Sequence, residues 1–400
     1  MTILEAAVLV ILMLLALPDF CRRLGRPGLL YPLYIVAGVV AGAFMHDEVR
    51  QVWREVGQFG FVLLLFSVGL EIELPEKRES LTALRRAGAW MAWQIPLLVA
   101  LAWMAGVPWH EGLVAAAAMA GTSVGMAYHV WENYPFTARG TRRQFLEWIV
   151  AVEVLAILML SFSGPILQGA VWWFAILKFL GIVAAVVLAA LVAARGAPYL
   201  TALLSRFLHI QAHFLVVVLF AVAALGERLG LGAPKTAFVL GMFISRSTHE
   251  EAELNRRLEP IRDRMFVPVF FFGLGTLVEP AMLASRLFAM AILSALLLFV
   301  VRRLVYRRHF APIFRTGPQA HVMAAPVLTI AAVAVEVLAH AGASAAAVTW
   351  TLAAGLSLTL VAAFIRLDGG PNLSGIESAM SAPEAWDEAE REPAGPHAPV

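Results

Sequence analysis

The 400-residue sequence predicts an all-α integral membrane protein with about 13 transmembrane helices. Three observations carry that reading. The first is composition: 60% of the residues are hydrophobic and 14% charged, a balance foreign to a soluble domain of this length. The second is segmentation, because apolar stretches near the ~20 residues that a span requires recur along the chain between polar loops. The third is that Lys and Arg collect in alternate loops.

Taken in order, the apolar segments are 2–18, 28–45, 55–72, 86–106, 111–130, 144–163, 170–194, 208–226, 233–246, 265–280, 283–304, 319–340 and 345–366. The first closes at Pro18-Asp19 and has neither a basic leader nor a small-residue cleavage site, so it reads as a retained helix. The ninth and tenth are short. Loops after odd segments carry Arg22, Arg23 and Arg26; Lys77, Arg78, Arg85 and Arg86; Arg139, Arg142 and Arg143; and Arg195 and Arg206. They continue with Arg246, Arg256, Arg257, Arg262 and Arg264, then Arg302, Arg303, Arg307, Arg308 and Arg315. Loops after even segments carry only Arg50, Arg54, Arg228, Lys235 and Arg286. Positive loops stay inside, which predicts an external N-terminus and a cytoplasmic C-terminus. Residues 1–366 form the transmembrane domain. Residues 367–400, rich in Pro, Ala and Glu, have too little apolar surface to fold and read as a disordered cytoplasmic tail.

Function is sought first at Glu153, a lone carboxylate inside the apolar run 149–160. An ionised carboxylate at that depth costs roughly 3 kcal/mol on insertion scales, so such a group holds a proton or pairs with a cation. Those are the two states that a cation/proton exchange site needs. A structural, protonated Glu in a helix bundle is the plainer alternative. Two further segments interrupt their helices: Gly121-Thr122-Ser123-Val-Gly125 in the fifth, and Pro326-Val-Leu-Thr329 in the twelfth. Unwound backbone there would offer carbonyl and hydroxyl oxygens to an alkali cation. Thr122 and Ser123 are therefore ion-binding candidates beside Glu153, with Gly121, Gly125, Pro326 and Thr329 marking the breaks.

Other groups have a functional and a plain reading side by side. Glu71, with Glu73 at the end of the third helix, and Glu147, one helical stretch before Glu153, are possible gates or solvated helix-end charges. Glu336 is a second carboxylate in apolar surroundings. Lys178 reads as snorkelling to an interface. His209 and His213 have the i, i+4 spacing of a metal pair but lack a third ligand. No P-loop, nucleophile triad or zinc motif occurs, so an enzyme is not expected, nor any cofactor beyond the transported ions, nor a nucleic-acid partner. The single cysteine, Cys21, excludes an internal disulfide.

Five segments in register resemble the second family of monovalent cation:proton antiporters, which includes the Kef-type potassium efflux systems and bacterial sodium/proton exchangers. They are the run from Phe61 to Gly69-Leu-Glu71-Ile-Glu73-Leu; Gly121-Thr122-Ser123; Thr236-Ala-Phe-Val-Leu-Gly241; His249-Glu-Glu-Ala-Glu up to Glu259-Pro260; and Pro268-Val-Phe-Phe-Phe-Gly-Leu-Gly275. The resemblance implies two inverted repeats with broken crossing helices, an elevator-type core against a scaffold, and a homodimer. It also implies that Glu153 stands where the family carries an Asp that binds proton and cation in turn. Val152 replaces the polar residue usual before it, and no acidic residue stands at Pro326. The family's basic residue on the eleventh helix corresponds to Arg302 or Arg303, a possible charge partner.

The expected function is antiport of Na⁺ or K⁺ for H⁺ across a bacterial inner membrane, driven by gradients. The alternatives are a non-transporting sensor or channel-like subunit of the same fold, and a sodium-coupled organic anion symporter.

Overall fold

The computed structural model describes residues 1–71, 77–124, 139–167, 212–228 and 258–365, with a few helical positions between 233 and 241. Among these residues the secondary structure is entirely helical. In chain order the helices are α1 (Ile3–Arg23), α2 (Leu30–Gly42), α3 (Asp47–Glu71), α4 (Lys77–Met104), α5 (Trp109–Met119) and α6 (Arg139–Leu167). There follow α7 (Ala212–Arg228), α8 (Val267–Gly275), α9 (Arg286–Val305), α10 (Leu328–His340) and α11 (Ala345–Phe364). A π turn (Arg262–Phe266) leads into α8, another (Tyr306–Phe310) follows α9, and a 3-10 helix (Pro318–Ala324) precedes α10. Six stretches of the described residues are long and apolar enough to cross a membrane: Ile3–Arg23, Asp47–Leu70, Leu81–Met104, Arg286–Phe314, Gln319–His340 and Ala345–Phe364.

The first helix runs a few residues beyond its apolar stretch. Pro18 does not end α1, which runs on to Arg23. A proline removes one donor, but stopping the helix in an apolar medium would strand several backbone groups instead. Thr2 and Glu5 close the start with a capping box, and Arg22 and Arg23 sit in the last turn, where a cation suits the helix dipole. The fifth and twelfth segments are not continuous α-helices. α5 stops at Met119 and helix resumes at Val124, while residues 325–327 separate the 3-10 helix from α10.

The helices sort into two groups. In the first, α8 lies in a groove between α2 and α3, flanked by α1 and α7. Glycine makes the groove: a Cβ at Gly38 would stand 2.0 Å from the Phe272 carbonyl oxygen, and one at Gly60 2.0 Å from that of Phe266. Gly275 on α8 returns the contact, 2.2 Å from the Ile35 carbonyl. Small residues substitute for the hydrophobic drive that lipid does not supply, since they let backbones approach closely.

In the second group, α4, α6, α9 and α11 surround α5 and α10. One end is closed by an aromatic wall in which Trp90 meets Trp148 edge-on at 5.3 Å and Trp148 stacks on Phe310 at 5.2 Å. Gly125, Lys178, His209, Glu73, the seventh apolar segment and the tail after 366 lie outside the described residues.

Candidate functional site: the crossing of two broken helices

Each break has a local cause. Gly121 carries no Cβ, and one placed there would meet Ala156 of α6 at 2.9 Å and Ile330 of α10 at 3.4 Å. Pro326 has no N–H to give, so the backbone ladder stops there. The groups freed by one break are satisfied by the other. Ser123 N–H donates to the Pro326 carbonyl at 2.7 Å, and the Thr122 hydroxyl donates to the Ala324 carbonyl at 3.1 Å. Thr329 N–H donates to Ser123 Oγ at 3.1 Å, and the Thr329 hydroxyl donates to the same oxygen. Val327 N–H reaches Thr359 Oγ1 on α11 at 3.2 Å. Buried backbone groups must be paired, and here the crossing pairs them.

Arg302 of α9 is the hub. Its side chain is 0% exposed, and among the described residues it pairs with no carboxylate. Nε donates to Gln94 Oε1 at 2.7 Å, and Nη1 donates to the Ala324 carbonyl at 3.0 Å. Nη2 donates to the carbonyls of Met119 at 2.6 Å and Gly121 at 3.1 Å. Trp90 lies beneath the guanidinium, 5.7 Å from ring centroid to Cζ. A buried cation costs several kcal/mol unless it is paired and bonded. Here the compensation comes from the C-terminal ends of α5 and the 3-10 helix, each carrying roughly half a negative charge.

Glu153 of α6 occupies the opposite electrostatic position. It is 2% exposed, between Val152 and Ala156, and its Oε2 accepts a hydrogen bond from Val124 N–H at 3.1 Å. Val124 is the first helical position after the break, so the carboxyl meets a buried backbone donor there. One crossing therefore presents a guanidinium to two helix C-termini and a carboxyl to the backbone N–H of Val124.

Glu153, Gly121, Thr122, Ser123, Pro326, Thr329 and Arg302 thus come together. Arg303, the neighbour that sequence could not separate from Arg302, points away and is exposed. Glu147 is half-buried, further back along α6, and Glu71 closes α3. Glu336 lies on α10 beyond Thr329. Sequence reasoning missed Gln94, buried at 0% exposure, whose Nε2 also donates to the Trp90 carbonyl at 2.6 Å. Its signal was the isolated amide in the run 86–106. It also missed Glu111, a buried carboxylate that accepts from Ser344 N–H at 3.1 Å and from the Ser344 hydroxyl, joining the starts of α5 and α11.

With this geometry in hand, comparison with known proteins is informative. The profile of the family described as "Sodium/hydrogen exchanger, transmembrane" matches residues 8–366. The Na⁺/H⁺-K⁺ antiporter GerN of Bacillus cereus is 26% identical over 266 residues, covering 64% of this chain and 67% of GerN. The glutathione-regulated potassium-efflux protein KefC of Cronobacter sakazakii is 27% identical over 383 residues, 90% of this chain and 59% of KefC. The putative cation/proton antiporter YbaL of Escherichia coli is 25% identical over 284 residues, 66% of this chain and half of YbaL. The chain thus spans 59% of KefC and half of YbaL. The sodium/proton antiporter MjNhaP1 of Methanocaldococcus jannaschii superposes with a TM-score of 0.65 at 14% identity, covering 89% of this chain and 94% of its own, a likeness of fold.

Proposed function

This chain belongs to the sodium/hydrogen exchanger transmembrane family, and from that premise we propose that it is a secondary antiporter exchanging K⁺ or Na⁺ for H⁺ at Glu153. The observation that carries the proposal is the burial of this carboxyl against the resumed helix at Val124. Glu153 is neutral when protonated and neutralised when a cation sits on it. Either form crosses; the bare carboxylate, at roughly 3 kcal/mol on insertion scales, does not, and that asymmetry couples the two ions.

Thr122 donates its proton to Ala324, so its remaining lone pairs are available to a cation. Ser123 Oγ already accepts two hydrogen bonds from Thr329, so it ligates only when one of them opens. Arg302 is occupied with backbone carbonyls and acts as the fixed charge that holds both breaks in place. One exchangeable carboxyl, preceded by Val152, gives one proton per monovalent cation and an electroneutral cycle. The two helix groups then move past each other to expose the site in turn, in a bacterial inner membrane with the N-terminus outside and two copies assembled as a dimer.

The test is antiport in liposomes holding a trapped pH dye. A proton gradient is imposed, and Na⁺, K⁺ and Li⁺ are added in turn to wild type and to Glu153→Gln, which keeps an acceptor for Val124 N–H. Cation-triggered proton release is expected in wild type and absent in the variant. Equal release from both, or none from folded wild type, returns the chain to the sensor or symporter alternatives.

A further inference from the structure

The outer face of α9 is apolar for most of its length and basic at its end. Leu293, Leu296, Leu297, Val300 and Leu304 follow the three- and four-residue steps of one helix face, and all are exposed. The stripe runs for roughly 16 Å. It belongs to a stretch, Arg286–Phe314, long and apolar enough to cross a membrane, so it is a surface that hydrocarbon chains suit.

The same face then turns to charge. Arg303 lies in the last turn of α9, and Arg307 and Arg308 stand in the π turn beyond it, all three exposed. Their direction is set from the inside. Tyr306 and Phe310 are buried in the aromatic wall, and the Tyr306 hydroxyl bonds with Thr316 Oγ1 at 2.6 Å. Holding those two rings inward turns Arg307 and Arg308 outward.

Topology asks only for positive charge near the end of a span. Two other helix ends partner that charge within the chain: Arg22 meets Asp19 at 3.1 Å, and Arg262 meets Asp263 at 2.7 Å. Arg303, Arg307 and Arg308 have no hydrogen bond or ion pair among the described residues. The sequence holds no Asp or Glu between Glu279 and Glu336. Like charges four residues apart, as at 303 and 307, oppose a helix, a cost that an anion between them removes.

We propose that this end of α9 binds an anionic phospholipid, its phosphate held by Arg303, Arg307 and Arg308 and its acyl chains lying along Val300 and Leu304. Guanidinium groups suit phosphate oxygens through charge-assisted hydrogen bonds. A soluble phosphate would meet the charges and leave the stripe uncovered. A zwitterionic lipid would cover the stripe, but its own cation would oppose the arginines. A lipid with a net negative head satisfies both. The site is independent of the exchange reaction and holds whichever ions move.

The experiment is native mass spectrometry of the full-length protein in detergent. It is titrated with phosphatidylglycerol, with phosphatidylcholine of the same acyl chains, and with glycerol phosphate. Wild type is expected to bind the first phosphatidylglycerol about tenfold or more tightly than phosphatidylcholine, and to retain no glycerol phosphate. Arg303→Gln, Arg307→Gln and Arg308→Gln should each weaken phosphatidylglycerol binding about fivefold, and the triple variant should bind both lipids alike. Arg307→Lys, which keeps the charge, should retain most of the preference. Arg22→Gln, at an arginine already paired with Asp19, should leave it unchanged.

Equal affinity of wild type for the two lipids overturns the proposal. So does an equal loss in Arg22→Gln, which would make the preference a matter of overall charge. Glycerol phosphate bound as tightly as lipid also overturns it and makes the arginines a soluble-phosphate site. Should the triple variant fail to fold, the three single variants decide.

Discussion

Around α8, backbone meets backbone through glycine, and the fit between Gly38, Gly60 and Gly275 and their opposing carbonyls leaves no space for a methyl group. Around α5 and α10, by contrast, helices are interrupted, and side-chain donors hold them at the points of interruption. The first group adds glycine contacts to its aromatic packing, and the second adds side-chain hydrogen bonds between broken helices. A glycine contact has no alternative partner to exchange. A hydrogen-bonded crossing can exchange one partner for another, the property on which the proposed ion site draws.

The contrast can be broken at its strongest point first. Arg302→Met removes every donor to Gln94, Met119, Gly121 and Ala324, and is expected to cost about 3–5 kcal/mol, read as a large drop in thermal midpoint in detergent. Arg302→Lys should recover only part of the loss, because an ammonium lacks the planar fork. Full stability in the Met variant would show that the hub is dispensable.

Next comes Gly60→Ala, which drives a methyl into the Phe266 carbonyl and is expected to cost about 3 kcal/mol through overpacking. A wild-type melting curve would mean that α3 and α8 are not in backbone contact. Ser123→Ala leaves Thr329 N–H without its acceptor and should cost about 1–3 kcal/mol, with exchange kinetics altered more than after a substitution in the glycine block. The smallest effect has the opposite sign. Gly88 of α4 has open space where a Cβ would go, so Gly88→Ala should stabilise by about 0.5–1 kcal/mol. Destabilisation there would show that the second group is packed as tightly as the first.

Much of this was legible in the sequence, and the gaps have physical causes. Interrupted apolar runs located both breaks, because Gly121 and Pro326 act on the chain's own backbone. The buried carboxyl stood out at Glu153 for an equally local reason. Whether Arg302 or Arg303 turns inward was not legible, since adjacent helix positions differ by about 100° and only packing against α4 and α5 decides between them. The role of Gln94 was hidden in the same way. An amide is unremarkable until its partner is known, and that partner, Arg302, lies more than two hundred residues away.

The hub at Arg302 also sets a clock on biosynthesis. Its bond to the Met119 carbonyl spans 183 residues, so α5 enters the membrane long before its donor exists. At roughly 5–20 residues per second, that interval is on the order of 10–40 s. For that time the end of α5 holds bare carbonyls that only the second half of the chain can satisfy. Assembly of the crossing is therefore one of the last events in this protein's maturation, and a nascent chain stalled before α9 is a natural target for membrane quality control.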